Sequence, residues 1–264
     1  MVQDVLYAVA VIGGLGLVFG AGLGYAGKRF AVEEDAVTAL IRGLLPGANC
    51  GGCGYLGCDE LAKAISAGEA KYDACPVGGP ETAKKIAEAL GKEAGEFKRL
   101  AAFVKCAGDN DKAQNRYTYE GLNDCRSAAL LSGGGAKSCK YGCLGMGSCD
   151  SVCAFGAIRF INGVAVVDGD KCTACGQCAK ICPRHIIELV PAVNPVRVAC
   201  SSHDNARTVM ACCSVGCRAC KLCEKACNFN AIKVEEMLAE IDYEKCRVCG
   251  ECAGKCPAKI ITKQ

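Results

Sequence analysis

Three stretches of this chain set four cysteines at one fixed spacing. They are Cys172-x-x-Cys175-x-x-Cys178-x-x-x-Cys182-Pro183, Cys217-x-x-Cys220-x-x-Cys223-x-x-x-Cys227 and Cys246-x-x-Cys249-x-x-Cys252-x-x-x-Cys256-Pro257. A fourth stretch, Cys143-x5-Cys149-x-x-x-Cys153, keeps the frame but has Met146 where the second cysteine would stand. Three thiolates on one tight loop can reach three irons of one cubane, while the fourth points away to the partner cubane of a pair. The spacing therefore predicts [4Fe–4S] clusters in pairs with crossed ligands. Zinc ribbons use C-x-x-C pairs but not this run. The chain has 264 residues and an odd 25 cysteines, which argues against a disulfide scaffold. Its two histidines supply imidazole-based zinc or haem sites poorly.

Crossing the ligands assigns the clusters. Cys172, Cys175, Cys178 and Cys153 hold one, and Cys143, Cys149 and Cys182 hold part of its partner. Cys217, Cys220, Cys223 and Cys256 hold a third; Cys246, Cys249, Cys252 and Cys227 hold a fourth. The incomplete cluster needs one more thiolate, and Cys139, four residues before Cys143, is the nearest in sequence. Cys213 stands equally four before Cys217, in a run already complete, so Cys139 could instead be its repeat equivalent. A three-iron cluster or an oxygen ligand at the Met146 gap are the alternatives.

A separate motif lies upstream, Cys50-x-x-Cys53-x4-Cys58-x16-Cys75, in the setting LPGANCGGCGYLGC. Its glycines let backbone N–H groups approach sulfur, and four thiolates suit a fifth [4Fe–4S] cluster. Cys106, Cys125, Cys200, Cys212 and Cys213 are left over. Cys106, Cys125, Cys200 and Cys213 are candidates for a sixth cluster, the alternative being free buried thiols. Val104-Lys105-Cys106 and Val198-Ala199-Cys200 read as matching strand ends, each before a cysteine pair of runs.

Val5 to Ala26 contains no charged residue and is long enough, at roughly 33 Å, to span a bilayer as a helix. Lys28 and Arg29 follow it, which predicts cytoplasmic C-terminal domains and disfavours a secretory signal. Gly16, Gly20 and Gly24 mark a small-residue face suited to packing against another membrane helix. Net charge shifts from −4 over 33–98 to +6 over 99–264, which supports a boundary near 98. The expected organisation is an anchor (1–32), a small helical one-cluster domain (33–98), a connecting region (99–137) that is polar and Gly-rich from 107, and two ferredoxin-like pairs (138–192 and 193–264). The fold class is α+β: one transmembrane helix, a small helical [4Fe–4S] domain and two bacterial-ferredoxin-like (βαβ)2 modules.

These motifs, in this order, resemble the B subunit of the Rnf membrane complex over essentially the whole chain. The resemblance rests on the apolar N-terminus, LPGANCGGCGYLGC with Cys75-Pro76-Val77-Gly78-Gly79, CKYGCLGMGSC at 139–149, CTACGQCAKICPRHIIELVP at 172–191 and the second pair to Cys256. Two pairs resemble the longer forms of anaerobic bacteria. The resemblance implies an iron–sulfur subunit that accepts electrons from soluble ferredoxin, within a ferredoxin:NAD+ oxidoreductase that pumps Na+ or H+ and has other membrane and peripheral subunits. An iron–sulfur subunit of a different membrane redox enzyme is the alternative.

The residues themselves agree with electron transfer. There is no nucleophile–base pair and no nucleotide or flavin fingerprint, and His185 and His203 read as ordinary polar residues. A formal charge of +3 excludes a strongly basic nucleic-acid binder. Five clusters at about −2 each with their thiolates would make the loaded protein acidic. An acidic ferredoxin then needs a local basic patch, for which Lys221, Lys225, Lys245, Arg247, Lys255 and Lys259 are the candidates.

Overall fold

A computed structural model describes residues 2–29, 35–93, 95, 97 and 99–263. The expected domain limits at 32 and 98 fall on residues outside these. Helix α1 (Val2–Arg29) carries the apolar run, and Lys28 and Arg29 occupy its last turn, where cations suit the helix dipole. Its Val9–Arg29 stretch is long and apolar enough to cross a membrane, and none of that stretch is covered by the rest of the chain. Gly16, Gly20 and Gly24 meet nothing within 4 Å in this chain.

Helices α2 (Ala36–Leu44), α3 (Cys58–Ser66) and α4 (Gly79–Ala89) form the small helical unit. Asp35 caps α2 by accepting from the Val37 N–H, and Asn49 Oδ1 accepts from the Cys58 N–H at the start of α3 (2.8 Å). Ile41, Leu61 and Ile86 meet in its core, with Cys58 and Cys75 buried at the edge.

The rest of the chain repeats one plan twice. Strand β1 (Leu100–Val104) pairs antiparallel with β4 (Ile187–Pro191), and β2 (Ile158–Ile161) with β3 (Val164–Val167). In the second module β5 (Val196–Val198) pairs with β8 (Ile261–Lys263), and β6 (Ile232–Glu235) with β7 (Leu238–Ile241). Short helices carry the cysteines: α6 (Ser148–Ser151) and α7 (Gln177–Ile181) in the first module, α9 (Leu222–Lys225) and α10 (Glu251–Lys255) in the second.

The segment read as a connector differs from that reading. Its first residues are β1, an outer strand of the first module. The remainder is mostly irregular but pinned on both sides, with the Asn110 N–H donating to Asn162 O of the first module and the Gln114 N–H to Cys212 O of the second (both 2.9 Å). It also carries helix α5 (Cys125–Ala129), and α8 (Ala206–Cys212) faces it from the second module. A buried strand pairing needs a distant partner, which local polarity does not reveal.

Candidate metal centres

One backbone pattern recurs in all four ligand loops. The residues flanking the middle position adopt left-handed φ: Ala174 and Gly176, Ala219 and Lys221, Val248 and Gly250, and Gly145 and Gly147 around Met146. Met146 therefore occupies the place of the missing cysteine. The third residue after each final cysteine is also left-handed: Gly156, His185, Asn230 and Lys259. In each case its N–H donates to the carbonyl of that cysteine, closing a turn that feeds the next strand. His185 is such a turn residue. His203 is exposed, with Nδ1 2.9 Å from Glu236 O, and Asp204 pairs with Lys140 (3.1 Å) rather than with a histidine.

The turns gather the thiols into cages. In cage A, buried Cys178 interacts with Cys172, Cys175 and Cys153. In cage C, Cys223 interacts with Cys217, Cys256 and Cys220. In cage D, Cys227, Cys246, Cys249 and Cys252 line a cavity of about 340 Å³. Each cage mixes three thiols of one run with the last thiol of the other. In the upstream cage Cys75 interacts with Cys58 and Cys53, and Cys50 stands on the same loop.

Cage B differs from the sequence reading. Its cavity of about 380 Å³ is lined by Cys143, Cys149, Cys182 and Cys125, and Cys139 is not among its lining residues. Cys125 is the first residue of α5, held by a network around the helix cap. Asp124 accepts from the Ser127 N–H (2.8 Å) and from Ser148 Oγ (2.6 Å), and Ser148 Oγ accepts from the Cys125 N–H (2.7 Å). These bonds hold the Asp124 carboxyl down at about 2. The Asp-Cys start of a capped helix inside a polar stretch was the available signal for Cys125. Cys139 lies instead beside Cys106, Cys200, Cys212 and Cys213 around a further cavity.

The donor sets suit iron–sulfur clusters. The cavities ringed by the thiols of cages B and D are lined by no His, Asp or Glu, so thiolate is the donor each offers. Backbone N–H groups donate to sulfur at Cys172 (from Ala102, 3.3 Å), Cys153 (from Ala157, 3.4 Å), Cys227 (from Ala231, 3.4 Å) and Cys75 (from Gly78, 3.3 Å). Such bonds tune cluster potential. Burial pushes the Cys149 thiol up to about 12 and Cys178 and Cys223 up to about 11. Ligation must displace those protons, so cluster assembly releases them.

The cages adjoin. A Cβ placed on Gly52 would stand 2.7 Å from Cys175 O, and Gln177 Nε2 donates to Cys50 O, so the upstream loop lies on the cage A loop. Cys149 of cage B interacts with Cys178 of cage A. Cages C and D share one apolar core containing Cys223 and Cys252. Among the described residues the exposed cysteines are Cys220 and Cys249, both in the second module.

This architecture and thiol set define an iron–sulfur protein of the ferredoxin type. Residues 45–77 match the family described as "Putative Fe-S cluster", and residues 165–188 and 239–262 each match the "4Fe-4S binding domain" family. The B subunit of the Na(+)-translocating ferredoxin:NAD(+) oxidoreductase complex of Acetobacterium woodii is 48% identical over 99% of this chain and 79% of its own length. The B subunit of the ion-translocating oxidoreductase complex of Methanosarcina acetivorans is 43% identical over 99% of both chains. The proton-translocating counterpart of Clostridium ljungdahlii is 41% identical over 98% of this chain and 92% of its own. The chain belongs to this family, the B subunits of the Rnf-type ion-translocating oxidoreductase complexes.

Proposed function

We propose that this chain is the membrane-anchored electron-transfer subunit of an ion-pumping ferredoxin:NAD+ oxidoreductase complex, taking electrons from reduced ferredoxin. The observation that carries the reading is the contact of one ligand loop with the next, from the Gly52 loop on the cage A loop to the apolar core that Cys178 of cage A shares with Cys149 of cage B. A [4Fe–4S] cluster supplies one-electron storage in each of five cages. The chain's own residues do the rest. They hold thiols at fixed spacing, direct N–H groups at sulfur and bury the cage thiols Cys58, Cys75, Cys143, Cys149, Cys178, Cys217, Cys223 and Cys252.

Helix α1 anchors the chain. Lys28 and Arg29 at its C-terminal end support a cytoplasmic position for the cysteine-rich domains. The uncovered Gly16, Gly20 and Gly24 face suits a helix of another subunit. The exposure of Cys220 and Cys249 supports electron uptake at the second module. Lys221, Lys225, Lys245, Arg247, Lys255 and Lys259 are all exposed around them. Lys245 is held by Asp242 (2.7 Å) and so contributes least to an incoming acidic partner. Relatives of comparable identity are named for Na+ and for protons, so the proposal is of an ion pump without choice of ion.

The test is reversal of charge. Lys255→Glu with Lys259→Glu should slow reduction by ferredoxin, most strongly at low salt, and leave reduction by a small uncharged donor unchanged. Equal ferredoxin rates before and after reversal would move uptake away from this patch.

A further inference from the structure

Each module contributes the same two thiols, beyond its own cages, to the place where the modules meet. Cys106 lies two residues after β1 and Cys200 two after β5. Cys139 lies four residues before Cys143 and Cys213 four before Cys217. The contacts repeat as well. Cys106 Sγ accepts from the Cys143 N–H and Cys200 Sγ from the Cys217 N–H, both at 3.3 Å. All four line one pocket at the junction.

The sulfurs converge from opposite modules. The Cβ position of Gly108 is 3.2 Å from Cys213 Sγ and 3.7 Å from Cys106 Sγ, so any side chain there would press on both. Cys213 interacts with Cys106 and Cys139, and Cys200 with Cys106. A fifth thiol, Cys212, also lines the cavity beside Cys139 and Cys213; it donates to Val209 O within α8 (3.4 Å) and breaks the repeat, since its counterpart is Ser138.

A buried cation faces the same cavity. Lys137 is only 4% exposed, and its Nζ donates to Gly108 O (2.7 Å) and Gly163 O (3.4 Å). It has no acidic partner among the described residues. A buried ammonium held only by carbonyls calls for compensating negative charge. A cluster bound by four thiolates, net negative by about two charges, provides it.

We propose that Cys106, Cys139, Cys200 and Cys213 ligate a sixth [4Fe–4S] cluster that joins the two modules. This site goes beyond the function proposed above and does not depend on the identity of the electron donor. On assembly four thiols lose four protons to solvent. In operation one electron arrives from the cluster of cage B or C and one leaves to the other, with no covalent bond made or broken. Cys143 of cage B and Cys217 of cage C each donate a backbone N–H to this site, so it bridges the electron path between modules.

The test uses the full-length chain, loaded anaerobically. The double variant Cys200→Ser with Cys213→Ser should lose about four irons and four sulfides per chain and keep the paramagnetic signals of the other clusters. Cys212→Ser should keep the full content. Wild-type iron in the double variant, loss of zinc instead of iron, or an equal loss in Cys212→Ser would each overturn the assignment. Should the double variant shed more than one cluster, Lys137→Met decides, since it leaves every thiol in place. Removing that positive charge should lower the potential of one cluster and leave iron content full. Unchanged potentials throughout would overturn the site.

Discussion

Gly52→Ala tests whether contact between ligand loops sets the path from the upstream cage to cage A. The alanine Cβ would stand 2.7 Å from Cys175 O and 2.9 Å from Cys175 Cα. Ordinary contact begins at about 3.4 Å, so the loops must part by roughly 0.7 Å. The obstacle is backbone, which cannot swing aside as the end of a side chain can. Gly52 itself has no left-handed φ, so the substitution brings crowding without local strain. Overpacking of this kind costs about 1–3 kcal/mol, or about 5- to 150-fold in the balance between docked and parted loops. The assay is freeze-quenched paramagnetic resonance of the loaded full-length chain, following the arrival of electrons at the upstream cluster. The variant should keep its iron, reduce the ferredoxin-like clusters normally and pass electrons upstream more slowly. Gln177→Ala removes the bond to Cys50 O and should act in the same direction by about 0.5–1.5 kcal/mol. Gly254→Ala, which meets open space, should do nothing. Wild-type transfer to the upstream cluster in Gly52→Ala would refute the reasoning.

Three other outcomes are expected. Cys182→Ser should damage the cluster of Cys125, Cys143 and Cys149 more than that of Cys172, Cys175 and Cys178, as separate paramagnetic signals would reveal; equal damage would argue against crossed ligands. Asp124→Ala removes the cap that presents Cys125 and should make the cage B cluster the first to be stripped by chelator. Asp124 is held at about 2, below its ordinary 3.8, so its stabilising effect is present above about pH 4 and lost as pH falls through about 2. Iron-loss rates should therefore be insensitive to this group near neutrality, and a titration of cage B stability at pH 6 would contradict the assignment.

The cysteine runs made the ferredoxin plan legible because three-residue spacing and a left-handed turn are local properties. The strand starts were legible for the same reason: Ile158, Ile187, Ile232 and Ile261 each begin a strand just after a ligand loop. The segment 99–137 was much less so. The end of its β1 strand at Val104 was legible, but that strand's partner lies nearly ninety residues away, and the polar residues from 107 on resemble a loop. Cys125 and Cys139 show the same difficulty at the site. Proximity in sequence favoured Cys139 for the Met146 gap, whereas the chain returns Cys125 to that cavity by capping α5 against Ser148. The repeat register of Cys139 with Cys213 agrees with their both facing the junction. Which thiols meet across two modules depends on how the modules pack, and no local spacing encodes it.

The central claim is that the cysteines of this chain serve as ligands of a continuous set of iron–sulfur clusters. Iron, acid-labile sulfide and zinc per chain, measured on anaerobically prepared full-length protein, test it most directly. Six occupied cages require about 24 irons and 24 sulfides, and five require about 20 of each. A colourless protein holding zinc and no sulfide would contradict the account.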